Sequence, residues 1–563
     1  MAGAEAVRPW WQTGVLYQVY PASFQDSTGS GTGDLDGITS RLGYLADLGV
    51  DAVWISPFYP SPMKDGGYDV ADYCSVDPRF GDLAAFDRLV AAAHALGLRV
   101  VVDWVPNHSS DRHPWFTESR ASRDNPKRDW YVWRDARPGT GPGTDVSPEP
   151  PNNWLSAFGG PAWTWDDASG QFYLHSFLAA QPDLNWREPA LRAAMLGTLR
   201  FWMDRGVDGF RVDVAHHIAK DPHLRDNPPE PNPDAGHKPV SNYDRQRHVH
   251  DRGHPDVHGL FRAFRRLVDT HVGPDGAVRE RALFGEIHLG ADLAAWATYF
   301  GSGDELHLPL NFGLLAASWT AAGLRVHVDA VEAALPRSAL SAGAWPSYVL
   351  GSHDERRLAS RVGPAGARLA AVLLLTLRGL PTLYAGDEIG TPDVDVPLAR
   401  RRDPAGRSDP ALGRDSGRTP VAWDASPNAG FSSAPEASLW LPLHPDHETL
   451  NVEAQSADPK SLLNLYRRLL ALRRATPALH SGSGRVLGGV LGDVPETVLA
   501  YERVGDTSAD ARALALLNLG IAEARVALPA GTWRLAISTH DRTATGGAEI
   551  RLDPHEGVVL LAP

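Results

Sequence analysis

The chain has 563 residues, 43% apolar and 22% charged, with a formal net charge of −14. Such proportions belong to a folded globular protein, the length exceeds what one small domain needs, and the acidic balance argues against nucleic acid as a partner. A single cysteine, Cys74, excludes an internal disulfide and fits a reducing, cytoplasmic compartment, while no apolar run reaches the roughly eighteen residues of a membrane span and MAGAEAVRPWWQTG at the N-terminus has no basic-then-apolar leader pattern, so no membrane partner is expected.

In chain order, Val15–Phe24 is predicted as a strand rich in β-branched and aromatic residues, followed by the Gly-rich loop DSTGSGTGDLDG and an amphipathic helix, Ile38–Leu48. Val50–Phe58 predicts a second strand, Leu83–Leu96 a helix and Arg99–Asn107 a third strand. Further strands are expected at Asp208–Ala215, Ala282–His288, His307–Phe312, Ser347–Asp354 and Thr382–Gly390. Near-continuous apolar strands alternating with helices imply parallel units buried on both faces, and eight of them close a TIM barrel of the α/β class. The strand ends carry Asp103, His108, Asp213, Glu286, His353, Asp354 and Asp387, and in such barrels the C-terminal strand ends form the active face.

Two segments break the rhythm. Residues 108–171 are rich in Pro, Gly and Trp and read as a subdomain inserted after the third strand. Asp221–Pro255 is a Pro- and His-rich excursion whose histidines match no metal-ligand spacing and read as solvated loop residues. A long loop, Thr391–Gln455, follows the eighth strand, then a helix, Ser461–Ala475. From 476 to 563 short alternating strands (VLGGVLG, TVLAYERV, ARALALLNLG, RVALPAGTWRLAIS, GVVLLAP) predict an antiparallel β-sandwich. The expected organisation is a catalytic barrel over 1–107 and 172–475, the subdomain 108–171 and a C-terminal β domain.

The chemistry is legible at GVDGFRVDVAHH (206–217). On a strand, residues two apart share a face, so Arg211 sits beside Asp213. A neighbouring guanidinium keeps a carboxylate ionised, which a glycosidase nucleophile requires; a structural ion pair is the alternative. Glu286, in ALFGEIH, ends the next barrel strand, where a second carboxyl can give a proton to a leaving oxygen. Asp354 is a third carboxylate at the same face.

With DWVPNH (103–108), GFRVDVAHH (209–217), FGEIH (284–288), GSHD (351–354) and QPDLNW (181–186) in this order, the chain resembles the α-amylase superfamily of glycoside hydrolases, in its α-glucosidase and oligo-1,6-glucosidase branch. The resemblance runs from Trp10 into the terminal β domain. It implies Asp213 as nucleophile, Glu286 as acid/base and Asp354 as the group gripping ring hydroxyls in the transition state. It implies that Arg211 orients Asp213, that His108 and His353 bond the same glucose, that Tyr68 stacks under it, and that Asp65, paired with Arg418, holds its 4-hydroxyl. The implied activity is exo-acting, retaining release of terminal α-glucose from disaccharides and short oligosaccharides, with glucosyl transfer as an accompaniment and no cofactor for the chemistry. An oligo-1,6-glucosidase, a sucrose or trehalose isomerase or a glucosyltransferase on the same fold is the alternative, and an inactive binding homologue the non-enzyme one. Linkage cues conflict: Val214 after the nucleophile resembles the α-1,6 enzymes, the Asp221–Pro255 loop the α-1,4 ones. Three departures stand out: Ser352 where the branch has Asn, Val421-Ala422 where it has Met-Gln, and a family cation loop in which Asp26, Thr28, Thr32 and Asp34 would supply oxygens for Ca2+ or Mg2+, or fold as a metal-free turn. The charged run Glu355-Arg356-Arg357 is expected to reach the leaving-group side. Oligomeric state is not legible.

Overall fold

A computed structural model of the chain describes residues 8–562 other than 144, 233–241, 291, 336–342, 487–493, 506–511, 541 and 543–546. The strand expected from VLGGVLG lies outside the described residues beyond Val486, as does part of the Asp221–Pro255 excursion.

All eight strands are present, shorter than predicted: β1 (Leu16–Val19), β2 (Ala52–Ile55), β3 (Arg99–Trp104), β4 (Gly209–Val212), β5 (Ala282–Ile287), β6 (Leu308–Asn311), β7 (Ser347–Val349) and β8 (Leu380–Tyr384). They form one parallel sheet in the order β7-β8-β1-β2-β3-β4-β5-β6. The ring closes through a side chain: the Ser347 hydroxyl accepts from Asn311 N–H at 3.2 Å and donates to the Pro309 carbonyl at 3.0 Å, joining β7 to β6. The first strand is short because Pro21 sits at the start of a helical turn, Pro21–Phe24, a position its fixed φ favours. The predicted helix 38–48 is two helices, Leu35–Ser40 and Leu42–Leu48, with Asp34 capping the first through Gly37 N–H.

Inside the barrel, Leu16, Trp54, Val101, Phe284, Leu308, Leu310 and Leu380 pack together, and Trp11 and Trp345 join the same cluster. On its outer side the strands face helices through a separate apolar layer that includes Val53, Val100, Val102 and Phe210. The helix Leu358–Thr376 is apolar and long, but Gly363 adopts a left-handed conformation (φ 73°) before Pro364, which splits it; its second half, Leu369–Thr376, is buried. Trp133–Arg134, Trp163–Asp166 and Gln171–Leu174 form a three-stranded antiparallel sheet, whose last strand runs past the boundary expected at 171.

The C-terminal region is a five-stranded antiparallel sheet, Ser483–Val486, Val498–Val504, Arg512–Asn518, Gly557–Ala562 and Arg534–Ser538, facing a two-stranded one, Ala524–Ala527 with Glu549–Leu552. Alternation divides its faces: Val498, Ala500, Leu514 and Leu516 fill the sandwich, whereas Leu499, Tyr501, Ala515 and Leu517 turn toward the barrel's helices.

Candidate active site

Strands β3, β4 and β5 run in register, Asp103 beside Arg211 beside Phe284, and Val212 beside Gly285. Asp213 and Glu286 each follow that last pair by one residue, so the backbone delivers both acids at one level of the barrel mouth. Inward positions recur every second residue. Val101 is therefore succeeded by Asp103, Gly209 by Arg211 and Asp213, and Phe284 by Glu286, and the apolar interior gives way to a charged layer. Gly285 admits the neighbouring β5–β6 connection: a Cβ there would meet Leu306 Cδ1 at 2.2 Å.

One guanidinium organises the layer. Arg211 Nη1 lies 2.5 Å from Asp103 Oδ1 and 2.7 Å from Asp213 Oδ1, and Nη2 lies 2.6 Å from Glu286 Oε2. All four residues are buried. Val214, directly after Asp213, has φ 34°, a left-handed conformation that strains a β-branched residue. That turn aims its N–H at Glu286 Oε2, 2.8 Å away. The other oxygen, Oε1, is 3.0 Å from His288 Nε2.

Arg211 pairs with Asp213 as expected, but in a group crowded with other carboxylates. Burial pushes the Asp213 carboxyl well up, and Glu286, Asp103 and Asp354 add to the push against Arg211. Burial acts on Glu286 in the same sense, but Arg211 and then His288 outweigh it and hold that carboxyl below the usual range. Glu286 takes Nη2 to itself and also accepts the Val214 amide, while Asp213 shares Nη1 with Asp103. Burial lifts Asp103 to about 6 despite the same arginine.

The remaining predicted residues line the same pocket. Tyr68 and His353 stack face to face, centroids 5.3 Å apart and planes 8° apart, and the Tyr68 hydroxyl donates to Asp103 Oδ2 at 3.2 Å. Gln18 Nε2 is 2.7 Å from His353 Nδ1. Gln181 Nε2 donates to Asp65 Oδ2 at 3.0 Å and lies 3.1 Å from His108 Nε2. Burial depresses His108 to about 4 and His353 to about 3, so both are neutral rings near pH 7. Burial would raise Asp354, but His353, Arg414 and Arg418 hold its carboxylate well below the usual range.

The predicted Asp65–Arg418 pair is not formed. Arg414 Nη2 takes Asp65 Oδ1 at 2.7 Å and Asp403 Oδ1 at 2.7 Å, and its Nη1 reaches Asp354 Oδ1 at 2.9 Å. Arg418 follows the single helical turn Asp415–Gly417, which turns it into the wall behind. There its Nε donates to the His353 carbonyl at 2.7 Å and its Nη2 to Asp354 Oδ1 at 2.9 Å. Arg414 was missed because it sits in an irregular loop; the only cue was its place in RDSGR, four residues before the arginine singled out. Gln181 was legible as part of QPDLNW but without a contact to assign. Its segment is pinned by Asp183, which accepts from Lys220 Nζ at 2.6 Å; the same amine donates to Asn107 Oδ1 at 2.6 Å.

At the mouth, Arg414 lies over the Phe158 ring at 5.3 Å, and Phe177 stands 5.2 Å from the His108 ring and 5.4 Å from that of His217. Arg356 and Arg357 do not reach this side. Arg356 pairs with Asp393, and Arg357 is buried over the Tyr384 ring, donating to the Ala385 carbonyl at 2.5 Å. Ser352 Oγ accepts the Asp354 N–H at 3.1 Å in a local turn.

The loop with Asp26, Thr28, Thr32 and Asp34 does not fit a cation. Asp26 Oδ1 accepts from Thr28 N–H, the Thr28 hydroxyl and Gly29 N–H, and Oδ2 from Gly31 N–H and the Ser432 hydroxyl, all within 3.0 Å. Asp34 accepts from Ser27 N–H, the Ser27 hydroxyl and Gly37 N–H. The Thr32 carbonyl accepts from the Ser30 hydroxyl. Hydroxyls that would ligate instead donate inward, and positive hydrogens face the carboxylates. The loop is a closed turn that caps a helix.

Two acids flanking one guanidinium, opposite a third carboxylate and beside an aromatic ring, can exchange substituents at a sugar carbon in two steps, and barrels of this kind carry their chemistry on this face. That defines a glycoside-cleaving class of enzyme. The model of the alpha amylase catalytic domain matches residues 18–482, and the chain belongs to the α-amylase family. It is 42% identical over 524 residues to a probable alpha-glucosidase of Rhizobium meliloti (strain 1021), covering 90% of this chain and 91% of that relative. It is 35% identical to an oligo-1,6-glucosidase of Parageobacillus thermoglucosidasius, covering 83% and 84%. Among solved structures, the alpha-glucosyl transfer enzyme XgtA superposes with a TM-score of 0.88 at 40% identity over 99% of this chain and 100% of that one. The trehalulose synthase MutB superposes with 0.85 at 34% identity over 98% and 100%.

Proposed function

We infer that this protein is a retaining, exo-acting α-glucosidase that removes the terminal glucose of α-linked disaccharides and short oligosaccharides. The observation that carries the reading is the shared Arg211 guanidinium, which holds Asp213 and Glu286 side by side. Asp213 attacks the anomeric carbon, Glu286 protonates the leaving oxygen, and the glucosyl-enzyme is then opened by water that Glu286 deprotonates. The two acids share one proton in the reactive state: Asp213 attacks ionised and Glu286 donates from its protonated form. Asp354, held ionised by Arg414 and Arg418, grips ring hydroxyls, and Tyr68 supplies the stacking face. Asp65 with Arg414 closes the pocket at the non-reducing end, which favours removal of one unit over cleavage inside a chain. The cysteine count supports a cytoplasmic setting.

Glucosyl transfer is the second reading. Its support is the aromatic mouth of Phe158 and Phe177, together with likeness to one enzyme described as a glucosyl transfer enzyme and another as a trehalulose synthase. A glucosyl-enzyme can then pass its sugar to an alcohol. The test follows the first product by NMR during turnover of maltose, isomaltose, sucrose and trehalose. α-Glucose is expected to appear first, with glucosides of the acceptor as the transfer product. An initial β-anomer would remove the two-step mechanism.

A further inference from the structure

The two oxygens of Glu286 are not equivalent. Oε2 already accepts from Arg211 Nη2 and from the strained Val214 amide. Oε1 is therefore the oxygen left to carry a proton toward a leaving group, and the ring of His288 is in contact with it. His288 leaves β5 two residues after Glu286 and stacks on Phe312 at the end of β6, centroids 4.3 Å apart and planes 24° apart. The stack fixes the plane in which Nε2 meets the carboxyl. The His288 side chain is 41% exposed, whereas that of Glu286 is 7% exposed, so this ring links a buried acid to the mouth of the pocket.

We infer that His288 is a positioning residue for the acid/base: braced by Phe312, it donates Nε2–H to Glu286 Oε1 and sets how tightly that carboxyl holds the proton a leaving group needs. The inference rests on the reading of Glu286 as the acid. The other charged or titratable groups facing this carboxyl are Asp103 on β3, Arg211 on β4, Asp213 directly after it and Asp354 after β7. His216, in the turn after β4, faces the His288 ring at 6.2 Å, with Arg252 of the following excursion near it. None of these touches Oε1 in the way His288 does. A donor at Oε1 stabilises the carboxylate, which weakens the acid in the first half-reaction and keeps a base ready for the second.

The acid works only while protonated, so kcat/KM for maltose falls as pH rises through its value. Removing the donor raises that value and moves the alkaline limb upward. His288→Phe keeps a ring to stack on Phe312 but loses the donor, and is expected to shift the limb up by about one pH unit, the range of one hydrogen bond to a charged group. His288→Gln returns an N–H at similar reach and is expected to leave the limb within a few tenths of a unit of the parent. A limb unmoved in His288→Phe, or moved equally in His288→Gln, overturns the inference. Glu286→Gln separates the two claims. It should abolish maltose turnover yet retain part of the turnover of 4-nitrophenyl α-glucoside, whose leaving group departs without a proton. Undiminished maltose turnover there would sink the acid assignment itself, whatever His288 does.

Discussion

Two buried arginine clusters in this molecule are satisfied in opposite ways. In the pocket, Arg211, Arg414 and Arg418 meet carboxylates: Asp103, Asp213 and Glu286 on the first, Asp65, Asp403 and Asp354 on the second, and Asp354 again on the third. Where the barrel meets the C-terminal domain, Arg473 donates to the carbonyls of Leu375, Leu479 and Gly379, and Arg503 to those of Thr376, Leu479 and Gly482. Burial lowers Arg473 to about 10 and Arg503 to about 9, so both stay charged at neutral pH. Carbonyls at a helix C-terminus carry partial negative charge and suit a cation. Carbonyl partners belong to the backbone and have no other chemistry. Carboxylate partners keep spare lone pairs, titrate, and can exchange an arginine contact for a sugar hydroxyl. The first cluster has the chemistry of the proposed reaction site, and the second that of a rivet.

The strongest way to break this contrast is at Asp213. Asp213→Asn is expected to lower kcat on maltose by more than ~10³-fold while the melting temperature stays level or rises, because one acid leaves a crowded buried group. Residual activity within tenfold of the parent would show that the pair is structural. Next, Arg414→Ala removes the cation shared by Asp65, Asp403 and Asp354. A loss in kcat/KM on the order of 10²-fold is expected, chiefly in KM, since the residue shapes glucose binding and touches no reacting atom. Steady-state kinetics on maltose decide it, and an effect on kcat alone would contradict the assigned place. The smallest effect on catalysis belongs to the rivet. Arg503→Ala should cost about 3 kcal/mol of stability by leaving several carbonyls unpaired, read from urea unfolding, with kcat per folded molecule unchanged. A fall in kcat there would mean that the junction communicates with the pocket.

Much of the pocket was legible because its acids sit on strands. Period-two spacing put Arg211 beside Asp213, and the strand order put Glu286 on the neighbouring strand. Residues on irregular segments were not readable in the same way. The Asp65 partner was assigned to Arg418, yet a single helical turn at Asp415–Gly417 reverses which arginine faces the pocket. The loop around Asp26 has the spacing of a cation site but resolves into a turn, because backbone N–H groups and hydroxyls reach its carboxylates first. Arg356 and Arg357 looked available to a substrate and are instead spent on Asp393 and on the Ala385 carbonyl.

The amino-acid order alone determined the eight parallel strands, the antiparallel tail and the identity of the three acids, since apolar periodicity and short motifs are local properties of a chain. Only the tertiary structure decided that one guanidinium spans three carboxylates, which arginine meets Asp65, and that His288 leans on Phe312 to reach Glu286. Those outcomes depend on burial and on donors supplied by segments distant in sequence, and no local pattern encodes a sum over neighbours that folding alone brings together.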